Sequence, residues 1–310
     1  MPKFIRLVLF WAMSTSILYA QDSVYMFSYF VGNGEDGLHL AYSNDGFVWK
    51  EVHENRSYLQ PLLSPDKLMR DPCIIRGGDG HFHMVWTVSW TQKSIGYASS
   101  KDLINWSPQL EIPVMAYEAK TRNTWAPEIT YDPTNQDYIL YWSSTVEGLF
   151  PETQSAKENA YNHRIYYTKT KDFKSYTPTR LLYEPGFNVI DATIQYIKNK
   201  WYMFIKDETI EPPAKNIKIA TAYKIDGTYT DAGQSITGDY WAEGPTVLQK
   251  DNTWIVYFDK YTEHSYGAVQ SSDLENWEDI SYKIHMPKKM RHGSVFKVSR
   301  HEFEKVLNNK

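Results

Sequence analysis

The chain has 310 residues, 42% hydrophobic and 23% charged, enough for a sizeable core and too apolar for a disordered polymer. Its formal charge of −4 gives no electrostatic footing for nucleic acid or an acidic membrane surface as partner. A lone cysteine, Cys73, excludes an internal disulfide and a cysteine-based zinc site.

The first 20 residues read as a secretory signal peptide. Lys3 and Arg6 precede an apolar stretch from Leu7 to Tyr19, and the small Ala20 stands before Gln21. That stretch is short for a membrane span, and no other segment is apolar enough to cross a bilayer. The mature protein is therefore expected outside the cytoplasm, secreted or periplasmic.

From residue 22 onward the chain is built of short β runs. Val24-Tyr25-Met26-Phe27-Ser28-Tyr29-Phe30 comes first and leads to a turn, Ser43-Asn44-Asp45, with Trp49 four residues on. The same turn returns as Ser100-Lys101-Asp102 with Trp106, Thr170-Lys171-Asp172 with Tyr176, and Ser271-Ser272-Asp273 with Trp277. Asp226 with Tyr229 is a degenerate copy. A second series alternates with it. Its members are Asp71-Pro72, Pro127-Glu128, Asp191-Ala192, Glu243-Gly244-Pro245 and His292-Gly293-Ser294, each before an apolar run. Both series recur at roughly 50–60 residues, the signature of a repeat architecture. Within a unit the strands are legible, as in Phe82-His83-Met84-Val85-Trp86 after the Gly78-Asp79-Gly80 turn, then Ile95-Gly96-Tyr97. No segment shows convincing helical periodicity.

Four antiparallel strands per unit, repeated radially, make an all-β, five-bladed β-propeller over residues 22–310. The last motif, His292-Gly293-Ser294-Val295-Phe296, has no β hairpin after it, whereas the N-terminus supplies unclaimed strands. The N-terminal strands are thus predicted to complete the C-terminal blade and close the ring, which removes a sheet edge.

The first strand of a propeller blade lines the axial channel, so Asp71, Glu128, Asp191, Glu243 and His292 are expected to converge at one mouth. One such motif alone is an ordinary strand-entry turn. Five in register are not, because clustered like charge raises pKa values and needs a compensating use. Acid–base chemistry and cation binding are the two natural uses. Glycoside hydrolysis fits: one protonated carboxyl for the leaving oxygen, a carboxylate to activate water, and a third to tune the acid.

Taken together and in order, Arg70-Asp71-Pro72, Trp125-Ala126-Pro127-Glu128, Ile190-Asp191-Ala192, Glu243-Gly244-Pro245 and Arg291-His292-Gly293 resemble glycoside hydrolase family 43, five-bladed propeller enzymes acting on arabinosyl, xylosyl and related residues. The resemblance covers nearly the whole mature chain. It implies Asp71 as general base, Asp191 as pKa modulator and Glu243 as general acid. It implies that His292 helps to hold a calcium ion or a water cluster in the central channel, with no cofactor required. Family members carry Asp-Pro where this chain has Asp191-Ala192. Trp90 and Trp125 are candidate sugar platforms, Glu128 a site-lining residue and Arg291 a donor to sugar hydroxyls or a partner for an acid. Lys206 and Lys260, at the ends of second-strand runs, and the polar loop from Glu147 to Tyr161 are candidates for the rim. The expected activity is inverting, exo-acting release of terminal α-L-arabinofuranosyl residues from a carbohydrate partner, a plant-type polysaccharide or oligosaccharide. β-Xylosidase, β-galactosidase or galactofuranosidase, and endo-arabinanase remain alternatives. A sialidase, suggested by the Ser43–Trp49 turn, would need a three-arginine clamp and would be repelled by the acidic axis. A non-catalytic sugar-binding propeller would not need all three carboxylates.

Overall fold

The computed structural model describes residues 23–309; the predicted signal peptide lies outside them. Five sheets radiate from one axis. The first holds β1 (Ser23–Tyr29), β2 (His39–Ser43) and β3 (Lys50–Glu51). The second is β4 (Arg70–Arg76), β5 (Phe82–Thr87), β6 (Ile95–Ser100) and β7 (Leu110–Ile112). β8 (Trp125–Asp132), β9 (Asp137–Ser144), β10 (Arg164–Thr170) and β11 (Arg180–Tyr183) make the third. β12 (Val189–Ile197), β13 (Lys200–Asp207) and β14 (Asn216–Ala222) form the fourth. The fifth comprises β15 (Glu243–Lys250), β16 (Thr253–Lys260), β17 (Ser265–Ser271) and β18 (Glu278–Asp279). The last strand, β19 (Ser294–Ser299), returns to the first sheet and pairs with β1, Ser28 facing Ser294 and Val24 facing Val298. The innermost strands β4, β8, β12, β15 and β19 pack in that order, and β19 meets β4. The predicted ring closure is therefore present.

Each blade is sandwiched between two others, so both of its faces are buried. Trp86 and Met84 of the second blade pack with Met26 and Leu40 of the first. Val85 and Tyr97 of the second pack with Leu140 and Trp142 of the third. Three further clusters fill the remaining gaps between neighbouring blades. This explains why the strands read as continuous apolar runs rather than as an inside–outside alternation. Burying apolar area at about 25 cal/mol per Å² in five seams, rather than one core, holds the ring together.

The outer turns hold the blades' edges. Ser100 Oγ accepts the N–H groups of Asp102 and Leu103, and Asp102 Oδ1 accepts those of Ile104 and Asn105. Ser43–Asp45, Thr170–Asp172 and Ser271–Asp273 repeat this pattern.

Two features depart from the sequence reading. The fourth blade has three strands, not four. Its degenerate turn has Lys224 where the others carry Ser or Thr, so no hydroxyl gathers the turn's N–H groups. The following segment lies along β14 through only three backbone bonds, from Thr230, Gly233 and Ile236. The chain also ends in a helix, α1 (Arg300–Asn308), capped by a reciprocal Ser299–Glu302 box. Its Phe303 and Val306 join the seam between the first and second blades. At this length its periodicity is too brief to be read. No helix among the described residues is long and apolar enough to cross a membrane.

Candidate active site

Each inner strand begins with the same irregularity. Arg70 faces Thr87 and Cys73 faces Val85, so three steps along β4 match two along β5. The same slip separates Trp125 from Glu128, Ile190 from Thr193 and Glu243 from Thr246. The first blade keeps the count: Arg291 N–H bonds Phe30 C=O and Ser294 faces Ser28. This is a β-bulge, which bends a strand and re-aims its side chains.

The bulges sort the inner strands into levels. Arg70, Trp125, Ile190, Glu243 and Arg291 precede the bulge. Asp71, Ala126, Asp191, Gly244 and His292 occupy it. Cys73, Glu128, Thr193, Thr246 and Ser294 follow it. The five residues expected to be equivalent therefore stand at three levels. Asp71, Ala126, Asp191 and Gly244 have φ of 52°, 45°, 55° and 59°, a left-handed conformation that strains any residue with a Cβ. Two aspartates held there point to function rather than to folding. Glycine is required at 244, because a Cβ would lie 2.4 Å from the His292 ring.

A bulge also frees a backbone N–H from the ladder, and in the third, fourth and fifth blades it is captured by the preceding blade. Ala126 N–H donates to Thr87 Oγ1 at 2.8 Å, and Asp191 N–H to Ser143 Oγ at 3.2 Å. Gly244 N–H donates to Asp191 Oδ2 at 3.0 Å. The polypeptide that places one carboxylate is thus fixed by the blade that carries another group of the site.

Three carboxylates, Asp191, Asp71 and Glu243, act electrostatically on His292, and Asp71 touches it. Its Nδ1 lies 3.4 Å from Asp71 Oδ1, and Thr87 donates to Asp71 Oδ2 at 2.8 Å. Burial alone would raise Asp71, but the hydrogen bond and charge of His292, with Arg70 and Thr87, hold it down to about 2. Burial acts against the His292 imidazolium, yet Asp191 and Asp71 push it up to about 9. Asp191 is lifted to about 6, chiefly by burial and against the pull of His292, with the charge of Glu243 adding to the rise.

Glu243 stands between two cations. Lys206 Nζ and Arg291 Nη2 each reach it at 3.2 Å. Their shorter bonds go elsewhere, from Lys206 to Glu208 at 2.6 Å and from Arg291 Nε to Asp259 at 2.7 Å. Charge-assisted bonds of full strength run at about 2.7–2.9 Å. The two cations are therefore spent mainly on Glu208 and Asp259, and Glu243 is the loosely held member.

A family model for relatives of glycoside hydrolase family 43, described as a probable glycosyl hydrolase domain, matches residues 21–304. The chain belongs to this family. An α-L-arabinofuranosidase of Bifidobacterium longum is 24% identical over 185 residues, which is 53% of this chain but only 17% of that protein. The crystal structure of an α-L-arabinofuranosidase from Lactobacillus brevis matches with TM-score 0.55 and 18% identity, covering 69% of this chain and 72% of that one. An exo-β-1,3-galactanase from Phanerochaete chrysosporium matches with TM-score 0.54 and 14% identity, over 72% of this chain and 53% of that one. At these identities the structural likeness speaks for the fold.

Within this family 43 relative, Trp90 and Trp125 stand at the rim. Trp90 is 41% exposed, Trp125 packs edge-on against it at 5.5 Å and donates to its carbonyl, and Arg70 lies over the Trp90 ring. Arg291 pairs with acids, and a cavity of about 320 Å³ opens beside it, lined also by Asp259 and Tyr261.

Glu128 is a correction. It lies past the bulge, accepts from Tyr141 OH at 3.0 Å, and lines a cavity of about 390 Å³ with Thr130, Gln195 and Tyr196, later residues of the inner strands. It therefore belongs to the far side of the channel. Burial lifts it to about 7. Lys206 reaches the site, whereas Lys260 pairs with Glu263 outside it.

His292, the expected channel ligand, turns its Nδ1 to Asp71 at 3.4 Å. Among the described residues no three His, Cys, Asp or Glu groups are placed to hold a metal ion.

The sequence reading missed Thr87 and Asp259. Both stand opposite the residue that precedes the bulge, as Ser143 and Lys206 do. The available signal was a polar residue closing each apolar second-strand run: Trp86-Thr87, Trp142-Ser143, Ile205-Lys206 and Phe258-Asp259.

Proposed function

We propose that this protein is an inverting, exo-acting glycoside hydrolase that releases terminal α-L-arabinofuranosyl residues. Asp71 is the base, Glu243 the acid, and Asp191 the residue that positions and tunes the acid. What supports this is the convergence of three carboxylates from three blades on one imidazole, in three different electrostatic settings. Asp71, at about 2, stays ionised at any working pH and can accept a proton from water. Glu243, loosely held, can turn toward a leaving oxygen. Asp191 grips the N–H of Gly244 and so fixes the peptide that carries Glu243.

Inversion is favoured by what separates base from acid. The His292 ring stands against Asp71 on one side and against Gly244 on the other. A ring's width argues for a spacing beyond the roughly 5 Å of direct attack, leaving room for water. In this reading His292 acts as a fixed positive charge among carboxylates, and no step runs through a metal ion. The leader predicted at residues 1–20 would place the enzyme in the periplasm or outside the cell.

A panel of p-nitrophenyl furanosides and pyranosides tests the sugar. Preference for α-L-arabinofuranoside is expected, and faster cleavage of a β-xyloside or β-galactoside would replace it. NMR of the first-released anomer tests inversion.

A further inference from the structure

The third blade carries an insertion that the chemistry above does not use. Its second and third strands are joined by residues 145–163, whereas those of the fifth are joined by 261–264. Such a loop on the active face costs chain entropy to order. Here it folds into two short turns, Pro151–Thr153 and Glu158–Ala160, and its inner side encloses a cavity of about 280 Å³.

The walls of that cavity are of two kinds. Tyr161 and Phe187, each with one side of its ring covered by a cation, Arg122 and Lys218 respectively, supply aromatic surface, and Gln154, Asn188, Thr209 and Glu152 supply polar groups. Aromatic planes with hydrogen-bonding groups between them match a sugar, which has apolar C–H faces and a polar equator. Of the three glutamates on the lining, Glu211 pairs with Lys157 and Glu158 with Lys215, while Glu152 adds a negative charge, so the lining offers no spare cation for a uronate and the chemistry suits neutral sugars. The size is near the lower end for small-ligand pockets, roughly 300 Å³, which suits a sugar unit.

Two connections tie the cavity to the site. One is an aromatic track: Trp90 meets Trp125 at 5.5 Å, and Trp125 meets Tyr161 at 4.7 Å. The other is a chain of ion pairs from loop to acid, exposed at Glu158 and buried at its two lysines. Glu158 pairs with Lys215 at 2.6 Å, Lys215 with Glu208 at 2.8 Å, Glu208 with Lys206 at 2.6 Å, and Lys206 with Glu243 at 3.2 Å. Lys215 is fully buried and Lys206 nearly so, so their charges need these partners and hold the loop in place.

We propose that this cavity is a remote subsite for a neutral sugar unit distant from the cleaved bond, so that the loop of residues 145–163 makes turnover depend on the length of the carbohydrate chain. The proposal deepens the glycosidase reading and rests on it for the site of cleavage.

The test uses p-nitrophenyl arabinofuranoside and neutral arabino-oligosaccharides of increasing length, with the intact chain and with Tyr161→Ala, Tyr161→Phe and Gln154→Ala. In the intact chain kcat/KM should rise with length. Tyr161→Ala should remove about tenfold more from the longest oligosaccharide than from the aryl glycoside, the loss of one aromatic contact worth about 1.4 kcal/mol. Tyr161→Phe should keep most of the gain, and Gln154→Ala should show a smaller selective loss. Rates that ignore length, or equal losses on both substrates, overturn the proposal. Calorimetric binding of the oligosaccharides to Glu243→Gln separates the two readings. Length-dependent binding without hydrolysis by the intact chain sinks the proposed reaction and keeps the subsite, and length-independent binding sinks the subsite.

Discussion

The outer turns and the inner bulges repeat around the same ring, yet they repeat different things. In the outer turns the side chains recur: a Ser or Thr hydroxyl and an Asp carboxylate gather backbone N–H groups at Asp45, Asp102, Asp172 and Asp273. At the inner bulges the left-handed backbone recurs while the side chains diverge, to Asp71, Ala126, Asp191 and Gly244, and His292 takes the matching place in the first blade without that strain. A repeated side chain with a repeated contact serves the fold. A repeated, strained backbone with varied side chains frees each blade to contribute a different group to one reaction. The bulge is the shared scaffold, and its cost in left-handed φ is offset by hydrogen bonds to the neighbouring blade.

The contrast is broken most directly by carboxylates. Asp71→Asn and Glu243→Gln should each lower kcat by about 10²–10⁴-fold, the range for removing a general base or acid, with the melting temperature held in Glu243→Gln and lowered in Asp71→Asn, which loses its pairing with His292. Asp102→Asn, on an outer turn, should leave kcat alone and cost about 1 kcal/mol of stability, the worth of its backbone bonds. Steady-state kinetics beside urea unfolding of all three variants checks this, and a loss of activity in Asp102→Asn would erase the distinction.

Gly244→Ala should be the worst-folding single change on the inner ring. It combines a left-handed φ of 59° with a Cβ placed 2.4 Å from His292, and overpacking of this kind costs about 1–3 kcal/mol. Chemical denaturation measures it. A neutral result would mean that the His292 ring is free to move.

A pH titration of stability sharpens the comparison further. His292 is raised from 6.5 to about 9 in the folded chain. Its stabilising contribution is fully present below pH 6.5 and is lost as pH rises through about 9. Asp71 behaves oppositely. Lowered from 3.8 to about 2, it contributes above pH 3.8, and that contribution disappears as pH falls through about 2. Melting temperatures across pH 6–10 should decline on the alkaline side in the intact chain and flatten in His292→Gln. The smallest effect is expected at Ser299→Ala, which removes the cap of α1 and should cost about 1 kcal/mol without touching kinetics.

Much of this was legible before any coordinates. The outer turns announce themselves because their hydrogen bonds need particular side chains at fixed spacing. Asp71, Asp191 and Glu243 stand out as acids beside Pro, Ala or Gly at strand entry. The level of each group was hidden. Inner strands are apolar on both faces, so no alternation marks where a residue has been added, and Glu128 could not be told from a residue of the mouth. Asp259 and Thr87 were overlooked because a polar residue ending a strand is also what an ordinary solvated end looks like.

The sequence by itself determined the number of blades, the closure of the ring by strands from both ends, and the chemical identity of the acids, because these follow from local patterns and their period. Only the tertiary structure decided which acid meets which cation, that Glu128 turns to the far side of the channel, that the fourth blade stops at three strands, and that the loop between β9 and β10 encloses a cavity. Those outcomes depend on register slips and on contacts between blades, where one added residue moves a side chain by a whole level and leaves no mark in the order of amino acids.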